Sequence, residues 1–188
     1  MIVVDPRQTG TTKIADVWLQ PRPGTDTALA MAWLNVIINE ELYEKEFVEK
    51  WTVGFDKLKT RAQEYPPDKC AEITGIPADT IRRLAHEMGI TARDEKIELP
   101  IAWTDVWDNE HESVTGNPVA FHAMRGLAAH SNGFQTIRAL GVLMSILGTI
   151  DRPGGFRHKA PFPRPIPPCP KNPTRPEDVQ PNTPLNGM

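Results

Sequence analysis

Apolar and polar positions alternate in three distinct ways along the chain. Ile2-Val3-Val4 and Val17-Trp18-Leu19 are short apolar runs bounded by polar residues, as in buried strands. The stretch 26–39, DTALAMAWLNVIIN, is apolar nearly all round; it predicts a helix enclosed on more than one side, capped by Thr25 or Asp26. Residues 77–89, PADTIRRLAHEMG, place Ile81, Leu84, Ala85 and Met88 on one helical stripe. Pro77 opens that helix and Gly89 is expected to close it. Residues 133–150 predict a further helix with Ile137, Leu140, Met144 and Leu147 on its apolar face. Shorter helices are expected over EKEFVEKW, with Phe47 and Trp51 paired at i, i+4, over FDKLKTRAQEY, and over PDKCAEITG, which ends at Gly75.

Later segments are less regular. KIELPIAW, residues 96–103, reads as a strand that its proline confines to an edge or an end. Residues 108–117 read as a polar loop, and no assignment follows for Thr11–Ala15 or for AFHAMRGLAAHSNG. Strands alternating with helices predict an α/β fold, doubly wound, with a mostly parallel sheet flanked by helices.

Ten of the 19 prolines lie between Pro161 and Pro184. Proline lacks the backbone donor, so this stretch suits neither a helix interior nor a central strand. The division expected is therefore an α/β domain over residues 1–160 and a proline-rich extended tail over 161–188. The net charge of −3 brings no basic stripe, which argues against nucleic acid as a partner. No apolar run reaches transmembrane length, and residues 1–5 lack the basic start of an export signal. The cytoplasm is the expected location. Cys70 and Cys169 are too few for an iron–sulfur site and read as incidental thiols.

Candidate chemistry concentrates where the two short strands end. Ligands of doubly wound sheets sit beyond the carboxyl ends of the strands. Asp5 follows the first strand, and Asp26 follows the second at a helix start. A carboxylate there can accept paired hydrogen bonds from a guanine N1–H and amine, or from two ribose hydroxyls. Arg7 can meet a phosphate as a planar fork, and the Thr25–Asp26 helix start offers free amides to an anion. A simple turn at Asp5-Pro6 and a simple cap at Asp26 remain open readings. The glycine fingerprint of dinucleotide-binding folds is absent after the first strand.

Four blocks in order, VVDPRQTGTTKIADVWLQPRPGTDTALAMAW, ELYEKEFVEKWTVGFDKL, CAEITGIPADTIRRLA and RGLAAHSNGFQTIRALGVLMSILGTIDRPGG, resemble the molybdopterin oxidoreductases of the dimethyl-sulfoxide-reductase family. Lys13, where the family has a small residue, and Glu44, where Asp is common, are departures outside the key motifs. The resemblance implies a Rossmann-like partial domain of a larger enzyme. It implies a bis(molybdopterin guanine dinucleotide) cofactor carrying molybdenum or tungsten. Arg7 and Asp26 match positions that contact the guanine dinucleotide, with Asp26 on the base. Arg125 and Gly126 match a stretch that approaches the pterin. Asp5, Gly24, Thr25, His130, Asn132 and Gly133 complete the expected cofactor-binding set. His130 is either a wall of the active-site funnel or a structural histidine. His122 shares that ambiguity, whereas His86, His111 and His158 lack metal-ligand spacing and read as surface.

The family's cysteine-rich iron–sulfur segment and its metal ligand have no counterpart in these residues. The chain is therefore expected to be an internal fragment or a truncated gene product, inactive alone, whose first strand is the cut edge of a larger sheet. Its expected partners are the rest of the catalytic subunit, a membrane anchor, which would tie it to a membrane, and an iron–sulfur electron-transfer subunit. The ending DRPGGFRHKAPFPRPIPP resembles the branch acting on sulfur oxyanions, sulfite dehydrogenases and polysulfide or thiosulfate reductases, with formate dehydrogenases more distant. Arg152, Arg157, His158, Lys159 and Arg164 suit an anionic substrate or the pterin, and equally a solvated loop. A stand-alone nucleotide-binding or assembly module without redox activity is the alternative.

Overall fold

In the computed structural model the chain divides into two units, residues 1–158 and 159–188. The described residues are 1–156, except Val106 and Met124. The proline-rich tail, Cys169, Arg157, His158, Lys159 and Arg164 lie outside them.

Strand β1 (Ile2–Val4) pairs in parallel with β2 (Val17–Leu19), Val4 opposite Leu19, across a connection that holds a 3-10 turn at Thr12–Ile14. The pairing continues past the strand ends. Asp5 N donates to Leu19 O at 3.0 Å and the Trp18 indole donates to Asp5 O at 2.7 Å. Both strands therefore finish together, and their carboxyl ends define one edge.

Helix α1 (Asp26–Asn39) leaves that edge and forms the centre of the body. Every residue from Ala28 to Ile38 is buried, as expected of a helix apolar nearly all round. Helices α3 (Phe55–Ala62), α4 (Pro67–Thr74), α5 (Ala78–Asp94) and α7 (Gly133–Ile146) pack around it. Fully burying one Leu or Ile side chain contributes about 1.5–3 kcal/mol. The polar exception, Asn35, donates its amide to Ala62 O at 2.9 Å and so ties α1 to the end of α3. Pro67 opens α4, and Gly75 closes it in the left-handed region at φ 81°.

Four expectations need correction. Helix α5 does not stop at Gly89 but runs on to Asp94. Gly89 is there for packing, since a Cβ would come within 2.5 Å of the Leu42 Cβ. On α7 the buried stripe is Gly133, Thr136, Ala139, Leu143 and Ile146, one position off the expected face, of which only Leu147, just past the helix end, is fully buried. Small side chains let α7 approach α1 closely, so Ile137 is left 39% exposed. On α2 (Lys45–Trp51) the buried residue is Val48, and Trp51 is 64% exposed.

The fourth correction concerns residues 108–117, which contain strands rather than loop alone. Strand β3 (Ile97–Leu99) pairs antiparallel with β6 (Val114–Gly116), and β4 (Trp103–Thr104) with β5 (Glu110–His111). Pro100 separates β3 from β4, as its missing donor predicts. The hairpin is built on Asp105, whose carboxylate accepts bonds from Asn109 Nδ2, Asn109 N and Trp107 N, each at 2.9 Å. An Asp side chain that binds its own following backbone makes the turn where no apolar pattern signals one. The α/β class stands. Among the described residues its parallel part is the strand pair β1–β2 and an isolated bridge between Ile150 and Phe156, and the other two strand pairs are antiparallel.

Candidate functional site

Asp5 is committed to its own turn. One carboxylate oxygen accepts from Arg7 N at 2.7 Å, and the main chain bonds across to β2. This turn projects Arg7 from the strand edge, exposed, with no partner for its guanidinium among the described residues. The Gln20 amide donates to Pro6 O at 2.9 Å and holds the two strand exits together.

The segment after β2 is pinned from one side by Arg22. Its backbone N–H donates to Thr74 O at 2.9 Å, and its guanidinium donates to the carbonyls of Glu72 and Ile73. These are carbonyls at the end of α4, which lack partners within that helix. Gly24 then turns the chain at φ 81°, a conformation that favours glycine. Thr25 sits at the cap position of α1, but its hydroxyl donates back to Arg22 O at 2.7 Å. Neither Thr25 nor Asp26 caps the helix with a side chain, so the expected cap is absent. The amides of Asp26 and Thr27 carry no partner among the described residues. The half-buried Asp26 carboxylate likewise has no hydrogen bond or ion pair among them. An uncommitted carboxylate thus lies beside an amide-rich helix start, where the helix dipole favours negative charge.

The start of α7 meets this turn. Asn132 donates to Gly24 O at 3.0 Å and to Thr27 Oγ1 at 3.3 Å. A Cβ on Gly24 would lie 3.9 Å from His130 Nδ1, so the exposed imidazole stands against the turn. Gly133 admits no side chain, because a Cβ would meet Ala128 O at 2.3 Å. The structure therefore brings Gly24, Thr25 and Asp26 together with His130, Asn132 and Gly133. Gly126 is exposed in α6 (Arg125–Ala128), and the side chain of Arg125 lies outside the described part.

Arg22, Thr27 and Thr136 also build the site, and sequence reasoning passed over them. The signal available was slight: two hydroxyls at helical positions, one half-buried and one buried, and an arginine inside a proline-rich turn. His86, His111 and His122 are exposed, and no group of three potential metal ligands occurs among the described residues. Cys70 is buried with a free thiol, which burial pushes up in pKa, so it is an inert packing residue.

The family model described as molybdopterin oxidoreductase matches residues 1–176. The chain belongs to the molybdopterin oxidoreductase family. Membership implies a molybdenum or tungsten pterin cofactor. The sulfite dehydrogenase A-subunit of Allochromatium vinosum is 50% identical over 257 aligned residues, which take in 100% of this chain and 27% of that protein. Acetylene hydratase of Syntrophotalea acetylenica is 60% identical over 85 residues, 45% of this chain and 12% of that one. The alpha subunit of the F420-dependent formate dehydrogenase of Methanocaldococcus jannaschii is 43% identical over 50% of this chain and 14% of its own length. Among solved structures, acetylene hydratase from Pelobacter acetylenicus superposes with a TM-score of 0.62 at 40% identity, over 79% of this chain and 17% of that one. This member of the family thus corresponds to between 12% and 27% of the length of each of these relatives.

Proposed function

We propose that this chain is the guanosine-side α/β part of the catalytic subunit of a molybdenum oxidoreductase. The observation that carries the binding role is the uncommitted Asp26 carboxylate beside the unpaired amides of Asp26 and Thr27. Guanine presents N1–H and its exocyclic amine as two parallel donors, which a carboxylate accepts as a pair. The free helix amides and the unpartnered Arg7 suit the diphosphate. The residues present therefore fit a molybdopterin guanine dinucleotide, one of the two in a bis form. Gly126, His130 and the Arg125 backbone lie on the stretch that would face its pterin. When bound, the cofactor supplies a two-electron redox centre at its metal. The residues described here bind and orient its nucleotide end.

The reading for the whole protein is a sulfur-oxyanion enzyme, acting on an anion such as sulfite. It rests on the match to the Allochromatium vinosum sulfite dehydrogenase across 100% of this chain. That relative is one subunit of its enzyme, so partners are part of the proposal: a membrane anchor and an iron–sulfur electron-transfer subunit, on the cytoplasmic side. The iron–sulfur cluster and the metal ligand belong to other parts of the catalytic subunit. A formate dehydrogenase-type parent is the second reading, favoured by the 43% identity over 50% of this chain.

The binding role is tested by expressing the chain, and its Asp26→Asn variant, in a host that makes the guanine form of the cofactor. Pterin and guanine are then quantified after denaturation. The wild-type chain should carry guanine and the variant should lose most of it, while the two cofactor-free chains melt at the same temperature. Equal guanine in both would reduce Asp26 to a helix-start residue.

A further inference from the structure

Asn132 occupies the cap position of α7, where an Asn side chain ordinarily accepts a bond from its own helix and contributes about 1 kcal/mol. It makes no such bond. Its amide reaches out of α7 instead, and its two hydrogens match two acceptors on the neighbouring segment, Gly24 O at 3.0 Å and Thr27 Oγ1 at 3.3 Å.

The order of protons in the rest of the network follows from counting donors. Thr136 has one hydroxyl proton and donates it to Asn132 O at 3.2 Å. The 2.6 Å contact between Thr27 Oγ1 and Thr136 Oγ1 must then use the proton of Thr27. The network closes on itself: the Asn132 amide to Thr27, Thr27 to Thr136, Thr136 to the Asn132 carbonyl. Each hydroxyl both accepts and donates, an arrangement in which neighbouring bonds strengthen one another. A cap that gives up its own helix to join another helix is acting on that other helix. Its target here is the first turn of α1, which bears Asp26. Arg22 already holds the same turn from the α4 side.

We infer that Asn132 is a positioning residue: through Gly24 O and Thr27 Oγ1 it fixes the turn that presents Asp26, and with it the selectivity of the site for guanine. The inference rests on the guanine-binding reading above. It assigns Asn132 a task other than touching the cofactor.

The experiment uses the whole chain and two variants, Asn132→Asp and Thr27→Val. Asn132→Asp keeps the size and the capping ability while removing both donors. Thr27→Val removes the hydroxyl from the other side. Two quantities are measured: hydrogen exchange at the Ala28 and Leu29 amides, which bond to Thr25 O, and the ratio of affinities for GDP and ADP. In both variants exchange should speed up at least about tenfold, and the GDP preference should fall about tenfold, equivalent to roughly 1.4 kcal/mol. Exchange at Ile81 and Leu84 in α5 should stay as in wild type. Unchanged exchange at Ala28 and Leu29 would overturn the inference. So would faster exchange with the GDP preference intact, since that is a purely structural bond. A wild-type chain that binds GDP and ADP equally would instead overturn the guanine reading, and would do so before any variant is examined.

Discussion

Helices α1 and α7 have the same length, 14 residues, and both begin at the candidate site, yet they bury themselves in opposite ways. Helix α1 is enclosed, with eleven consecutive buried residues from Ala28 to Ile38. Helix α7 touches it through a narrow seam that starts with Gly133, Thr136 and Ala139, while Phe134 is 77% exposed. In the first two turns of α7 side-chain size, more than apolarity, marks the buried face, whereas its last turns bury the large apolar Leu143 and Ile146. The hydroxyls of Thr27 and Thr136 meet at 2.6 Å, which requires close backbones. Large side chains at those positions would hold the helices apart, and with them the two halves of the site.

The largest expected contrast comes from truncating one residue of each helix. Leu34 is fully buried in α1, so Leu34→Ala should cost about 2–5 kcal/mol in urea unfolding of the chain. Ile137→Ala on the outer face of α7 should stay within about 0.5 kcal/mol. Comparable losses would mean that the two helices are buried alike.

A smaller effect should come from the seam itself. Thr136→Val conserves shape but leaves the part-buried Thr27 hydroxyl without its acceptor, at a cost of about 1–3 kcal/mol. Adding Thr27→Val removes the stranded group. Thermal melts of the double variant should therefore show less than the sum of the two single losses. Simple additivity would mean that the hydroxyls do not meet.

The smallest effect lies outside both helices, in the β4–β5 hairpin. Asp105 accepts bonds from Asn109, His111 and Trp107 that hold its carboxyl well below the usual aspartate range. The unfolded chain therefore takes up this proton first as the pH falls. The contribution is complete above the ordinary aspartate pKa of about 3.9 and disappears as the pH drops through the lower folded value. The Trp103 environment, stacked on His111 at 4.5 Å, should hold from neutrality to about pH 4 and be lost in stronger acid. Fluorescence of Trp103, with the other tryptophans replaced by Phe, reports it, and Asp105→Asn should remove this acid-sensitive contribution.

Much of the body was legible because one force dominates it. A helix as continuously apolar as α1 has to be interior, and the α5 stripe of Ile81, Leu84, Ala85 and Met88 is buried as its spacing requires. Legibility failed where packing depends on size or on a single polar bond. Gly89 looks like a helix stop and is a contact with Leu42; Asp105 looks like part of a polar run and organises a hairpin. At the site, the turn carrying Gly24 and Asp26 was readable from its motif. Its supports were not, because Arg22, Thr27 and Thr136 act through partners 50 and 109 residues away in sequence. Asn132 was expected among the cofactor residues from its motif, but its bonds to Gly24 and Thr27 were not legible.

The most direct test of the central claim is a set of affinities of the chain for GDP, IDP and ADP, measured by calorimetry under one condition. Hypoxanthine lacks the exocyclic amine of guanine, and adenine lacks the N1–H as well. A hydrogen bond to a charged group contributes about 1.5–3 kcal/mol. IDP should therefore bind at least about tenfold more weakly than GDP, and ADP weaker again by a similar factor. In Asp26→Asn the three affinities should converge. Equal affinities in the wild-type chain would contradict the assignment of Asp26 to guanine.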